Sequence, residues 1–245
     1  MKTNVQGNKV PTFYCLMMVL LLGAAPSFVK ADESDLYDFL WLDPDKKVYV
    51  LQNKVYRKEN SFYVNAGYLM DLSSDYTSGK GFRVGAGYYI KEEWGFELIY
   101  QGYSNSNNDA YKNLQQVNGS VPFIRKFNKV YGGLGVWSPF YGKINTFNKI
   151  IYFDWSFGLG VGKVETESNK DSVSSPSTAD RFAKESYTGI LAKTALRVHI
   201  SKRVHLNLEF MRTTFNAPGP TLNNRVSSST WRGHSDAIIG IGFSF

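Results

Sequence analysis

The sequence predicts an all-β fold: a closed, antiparallel up-and-down transmembrane β-barrel of about eight strands, following a cleaved signal peptide. Three observations carry that expectation. Residues 1–31 are laid out as an export signal, the remainder alternates apolar and polar residues at period two, and long and short connections follow one another along the chain.

The export segment comes first. Lys2 and Lys9 make a positive start, Phe13 to Ala25 form an apolar core, and Val29-Lys30-Ala31 ends in a small residue suited to cleavage. The apolar run is short for a permanent membrane helix. Cys15, the single cysteine, lies within it, and the preceding Thr12-Phe13-Tyr14 does not resemble a lipobox. The mature chain is therefore expected to have no disulfide, no thiol nucleophile and no thiolate-bound metal.

Composition supports strands and tight turns. Of 245 residues, 16% are aromatic, and 22 are glycine. The formal charge of +7 invites a nucleic-acid reading. However, Lys2, Lys9 and Lys30 lie in the export segment, and their removal lowers the charge from +7 to +4. The other basic residues are scattered among carboxylates instead of forming a stripe, so no nucleic-acid partner is expected.

Residues 32–60 are polar, acidic at first and then basic, without a sustained period. They are expected to form a periplasmic N-terminal segment, with one short helix at Leu36–Leu42. From Ser61 to Phe245 the pattern is that of strands with two unlike faces. Phe62, Val64, Ala66, Tyr68 and Met70 form one apolar face; Phe82, Val84, Ala86, Tyr88 and Ile90 a second; Trp94, Phe96, Leu98 and Tyr100 a third. Val130 to Trp137 gives a weaker fourth strand whose outward face the pattern leaves open. Ile151 to Val161, Ile190 to Ile200, Val204 to Phe210 and Ala237 to Phe245 complete the set.

The connections separate a membrane barrel from a soluble sandwich, which also alternates. They fall at Asp71–Gly81, Lys91–Glu93, Ser104–Asn128, Ser138–Asn148, Lys163–Tyr187, Lys202–Arg203 and Thr213–Gly233, long and short in turn. Short turns at one end and long polar loops at the other are the anatomy of an outer-membrane barrel. An even strand count then puts both ends of the barrel on the short-turn side. In hydrocarbon only a closed sheet leaves no unpaired edge. Trp94 and Trp137 fall near expected strand ends, where amphipathic rings favour the membrane interface.

The last strand carries Ile239, Ile241, Phe243 and the terminal Phe245 on one face. This resembles the C-terminal signal that such proteins present to the barrel-assembly machinery. The segment Trp137-Ser138-Pro139-Phe140-Tyr141-Gly142-Lys143, with Phe147, Asp154 and Gly158-Leu159-Gly160 after it and the Val50–Lys58 run before it, also resembles a family. It is the outer-membrane β-barrel domain family of the Bdellovibrio and Myxococcus groups. The resemblance spans roughly Val48 to Phe245. It implies fold and localisation but no activity, and so no catalytic residue.

With the apolar faces outward, the lumen receives Arg83, Glu97, Asp154, Lys193, Arg197, His199, His205, Glu209 and Asp236. The expected core of this set is a charge network of Arg83, Glu97, Asp154, Arg197 and Glu209. Setting Ser201 opposite His205 across the Lys202–Arg203 turn would also set Arg197 opposite Glu209. A barrel of about eight strands is just wide enough for side chains to fill. The expected role is accordingly structural or surface-interacting, and a narrow channel for small solutes or ions is the alternative.

A lipid-A-modifying enzyme is a further alternative, because small outer-membrane barrels include acyltransferases and deacylases. Such chemistry needs a His with Ser or a carboxylate near the outer rim. His199 and His205 fall at the other end. His234 lies nearer the outer rim, with Ser235 and Asp236 beside it, but adjacent strand residues point to opposite faces. No catalytic residue, cofactor or metal is expected. The expected partners are outer-membrane lipids, lipopolysaccharide and, during biogenesis, the assembly machinery.

Overall fold

The computed structural model describes residues 54–146, 149–173, 181–222 and 225–245. The export segment, the Leu36–Leu42 helix and most of the 32–60 segment lie outside the described residues. The barrel strands are β1 (Ser61–Asp71), β2 (Thr77–Tyr89), β3 (Trp94–Asn107), β4 (Arg125–Thr146), β5 (Lys149–Ser168), β6 (Ala183–His199), β7 (Val204–Pro218) and β10 (Ser229–Ser244). Each pairs antiparallel with its neighbour, and β1 closes the ring on β10. A separate small hairpin, β8 (Thr221–Leu222) with β9 (Arg225–Val226), stands in the connection between β7 and β10.

Alternation gives every barrel strand an outward apolar face, while Leu69, Ile99, Val164, Leu191, Met211 and Ile238 point inward. Leu98, Leu159 and Val161 are more than 60% exposed, and Phe82, Phe96, Phe210, Ile239, Ile241, Phe243 and Phe245 project with them. In water this belt would cost about 25 cal/mol for each square ångström of apolar surface; against lipid tails that cost vanishes. Burial also settles the fourth strand. Val130, Leu134 and Val136 face the lumen, whereas Tyr131 and Trp137 face out. The pattern was ambiguous because the inward face here is apolar too, and Gly133 and Gly135 dilute the outward one.

Several strands run further than the hydropathy pattern indicates. The expected Ser138–Asn148 connection is largely strand: β4 continues to Thr146, which pairs with Lys149 at the start of β5. Likewise β3 extends to Asn107, β5 to Ser168 and β7 to Pro218. Ladder hydrogen bonds persist where alternation no longer marks a strand: β3 ends in polar residues from Ser104 to Asn107, and in β4 a register irregularity between Trp137 and Phe140 shifts the outward set to Phe140 and Ile144. The expected Ser104–Asn128 loop also contains a helix, α1 (Asp109–Asn118). The Asn108 side chain caps it by accepting from the Tyr111 amide at 3.0 Å, and Gly119 ends it at φ 60°.

One close approach requires glycine. Gly132 on β4 and Gly162 on β5 are directly opposed, with the Leu191 side chain packed over them. A Cβ at Gly162 would lie 2.6 Å from the Tyr131 carbonyl and 2.7 Å from the Leu191 Cδ1. Gly162→Val is therefore expected to destabilise the barrel by about 1–3 kcal/mol through overpacking. The check is a lower temperature for loss of the compact, fast-migrating form on SDS gels; unchanged heat-modifiability would contradict the packing described.

Candidate functional site

The inward faces meet in a lumen filled by charged, aromatic and aliphatic side chains, the last including Leu69, Ile99, Leu134, Leu191, Met211 and Ile238. At its centre Arg83 on β2 bridges two carboxylates, donating to Glu97 on β3 at 2.9 Å and to Glu209 on β7 across the barrel. Lys193 on β6 also donates to Glu97, and the Tyr63 hydroxyl donates to it at 3.1 Å. Arg83 is 2% exposed and Glu97 fully buried, so each charge depends on its partners instead of water. Two cations and two anions balance within this cluster.

Arg197 is placed differently from expectation. The turn between β6 and β7 closes so that His199 opposes His205; Arg197 therefore opposes Asn207, and Glu209 opposes Ala195. Ile200 and Ser201 both donate their amides to the Val204 carbonyl, at 3.0 and 3.1 Å, and this holds Ser201, Lys202 and Arg203 as the turn. The Arg197 guanidinium instead lies 4.6 Å from the ring centre of Tyr63 and 5.6 Å from that of Tyr89. Neither tyrosine is among the residues expected in the network, all of which are charged.

Asp154 belongs to a second cluster, at the short-turn end. It accepts from Lys58 at 2.7 Å and contacts His199 Nε2 at 2.7 Å. Lys58 precedes β1, and its chain bends into the lumen opening. The Lys58 Nζ donates also to Ser138 Oγ at 2.8 Å, and the backbone amide of Lys58 donates to Glu92 at 2.9 Å. Tyr56 stacks on His199 with ring centres 4.4 Å apart. Residues 54–60 thus cover this end of the barrel. Burial pulls the Lys58 ammonium below the ordinary lysine value, and the charge of Asp154 opposes that pull. Sequence reading missed Lys58 because nothing in a polar, aperiodic stretch marks one lysine as buried.

Asp236 belongs to neither cluster. It lies near the long-loop end beside Asp71 and His234, where Tyr103 donates to it at 2.7 Å. The terminal face is outward: Ile239, Ile241, Phe243 and Phe245 are exposed, and the Phe245 amide donates to the Phe62 carbonyl at 2.8 Å.

No family model and no curated protein matches the sequence. Solved structures do resemble it. The N-terminal β-barrel domain of Pseudomonas aeruginosa OprF is 12% identical, with 76% of this chain and 98% of that one covered at a TM-score of 0.43. Neisserial surface protein A is 17% identical over 76% and 98%, at 0.43. Ail, the attachment invasion locus protein of Yersinia pestis, is 16% identical over 76% and 99%, at 0.38.

The geometry ranks the two arginines. Removing Arg83 strands Glu209 and half-strands Glu97, so Arg83→Met is expected to cost about 3–5 kcal/mol. Arg197→Met trades a cation over two rings for an apolar chain and should cost only about 1–2 kcal/mol. Denaturant titration of the detergent-folded variants, followed by tryptophan fluorescence, checks the order; an equal or reversed ranking would refute it.

Proposed function

We propose that the protein is an integral component of a Gram-negative outer membrane, with a sealed lumen and a structural or surface-interaction role carried by its long-loop end. The observation that supports this best is the combination of a lipid-compatible exterior with an interior occupied by paired charges. The Arg83–Glu97–Glu209–Lys193 cluster crosses the lumen, and Lys58 with Tyr56 covers one end. A conducting path would need water where these groups pair with one another.

The partners in this reading are membrane lipids and lipopolysaccharide at the apolar belt, with the assembly machinery engaging the strand that ends in Phe243 and Phe245. Export by a cleaved segment at residues 1–31 belongs to the same proposal. So does membership of the Bdellovibrio and Myxococcus barrel family, supported by the Trp137–Lys143 and Val50–Lys58 segments. No enzymatic activity and no cofactor is assigned.

Cell fractionation should recover the protein with the outer membrane, in a heat-modifiable form. In planar lipid bilayers the purified barrel is expected to be electrically silent. Discrete conductance steps would favour the narrow-channel alternative, and a change in lipid A mass on incubation would favour an enzyme. Recovery as a soluble periplasmic protein would remove the proposal altogether.

A further inference from the structure

The geometry points to a binding site for a divalent transition-metal cation, of the zinc class, formed by Asp71, His234 and Asp236 at the long-loop mouth of the lumen. The three side chains converge because of register. Asp71 on β1 and Asp236 on β10 are directly opposed, and His234 lies two residues before Asp236 on the same inward face. One ligand atom from each lies within 4.8 Å of those of the other two. His234 Nε2 is 3.1 Å from Asp236 Oδ1, and His234 Nδ1 is 3.6 Å from Asp71 Oδ1. An ion takes only one nitrogen of the imidazole, and ligands about 2.0–2.2 Å from one tetrahedral ion stand roughly 3.4 Å apart; with the ligand atoms already within 4.8 Å of one another, binding requires the two carboxylates to turn toward a single His234 nitrogen.

The electrostatics ask for a cation. Directly opposed like charges destabilise a strand pair, and these two carboxylates are withdrawn from bulk water. Among the described residues, the only basic side chain within ion-pair distance of either is His234. Two arginines on the wall of the adjoining cavity do not pair with them: Arg125 is engaged by Glu185 at 3.2 Å, and the Arg232 guanidinium lies 5.6 Å from the ring centre of Phe123. The Arg83 cation is committed to Glu97 and Glu209. By contrast with the central cluster, neither carboxylate here has a lysine or arginine within ion-pair distance among the described residues.

An independent sign is hydrogen-bonding capacity left over in the cluster. His234 is 2% exposed and Asp236 fully buried, yet His234 Nε2 and Asp236 Oδ1 make no hydrogen bond despite their proximity. Buried polar atoms are seldom left so. The groups around them are already oriented as supporting contacts for ligands. Tyr103 donates to Asp236 Oδ2 at 2.7 Å, which leaves Oδ1 as its free atom. The Ser73 amide donates to Asp71 Oδ1 at 2.7 Å, and the Ser74 hydroxyl donates to Oδ2. The imidazole lies flat on Phe127, with centres 3.6 Å apart and planes 13° from parallel, which fixes the ring. Such partners orient ligands and tune affinity in metal sites.

Access is provided by a cavity of about 220 Å³ bordered by Ser73, Ser74, Thr77 and His234. One imidazole and two carboxylates suit zinc or a neighbouring first-row divalent ion better than copper(I), which prefers sulfur. Three protein ligands leave a coordination position for water or an external group.

The test uses untagged full-length protein extracted from membranes in detergent, stripped with EDTA and dialysed against zinc chloride. Mass spectrometry of the metal content should find one zinc per chain, and cobalt(II) should produce ligand-field bands in the visible range. Asp236→Asn is expected to weaken zinc binding at least about 100-fold, and Tyr103→Phe, which keeps every ligand, about 10-fold. His199→Gln, at the other end of the lumen, should leave it unchanged. Should Asp236→Asn lose its heat-modifiable form, Tyr103→Phe decides. The inference is overturned if the wild-type protein retains no stoichiometric metal. It is equally overturned if His199→Gln abolishes binding while Asp236→Asn and Tyr103→Phe do not.

Discussion

The pairing of β1 with β10 is what the remaining architecture depends on, because an open sheet edge in hydrocarbon would leave a row of backbone amides and carbonyls without partners. From Tyr63–Ser244 to Asp71–Asp236 the two strands run in continuous register. Once the ring is shut with the apolar residues outside, each alternate residue must go into a space too narrow for bulk water. The interior packs aliphatic residues such as Leu69, Leu191 and Met211 beside charged ones, and the charges must find partners among themselves.

They do so in layers. In the middle layer Arg83 and Lys193 balance Glu97 and Glu209, tying four different strands across the lumen. At the short-turn end Lys58 is drawn in to meet Asp154, so a residue from outside the sheet completes the neutralisation. Arg197 shows another solution, resting on the faces of Tyr63 and Tyr89. At the long-loop mouth the pattern changes: Asp71 and Asp236 oppose each other with only an imidazole between. There the two carboxylates lack the lysine or arginine partner that Glu97, Glu209 and Asp154 have, and a bound cation would supply it.

Much of the barrel was legible in the chain because its chemistry is written at period two. The outward faces of Phe62–Met70, Trp94–Tyr100 and Ala237–Phe245 needed no tertiary information, since hydrocarbon accepts only one kind of side chain. The inward location of Arg83, Glu97, Asp154 and Glu209 followed from the same alternation. Strand ends were less legible: a register irregularity after Trp137 breaks the alternation of β4, and helix α1 sits in a stretch read as loop.

What the amino-acid sequence by itself determined is therefore which residues face outward or inward on every barrel strand except β4, because parity depends only on position along one strand and on the solvent outside. What only the tertiary structure decided is which inward residues meet. A shift of the β6–β7 turn moved Arg197 from Glu209 to the tyrosine faces. The curvature of the closed ring brought Glu97 to Lys193, Lys58 to Asp154, and Asp71 to His234 and Asp236. Those meetings depend on register and on distances across the barrel, which join residues far apart in the chain and leave no trace in local pattern.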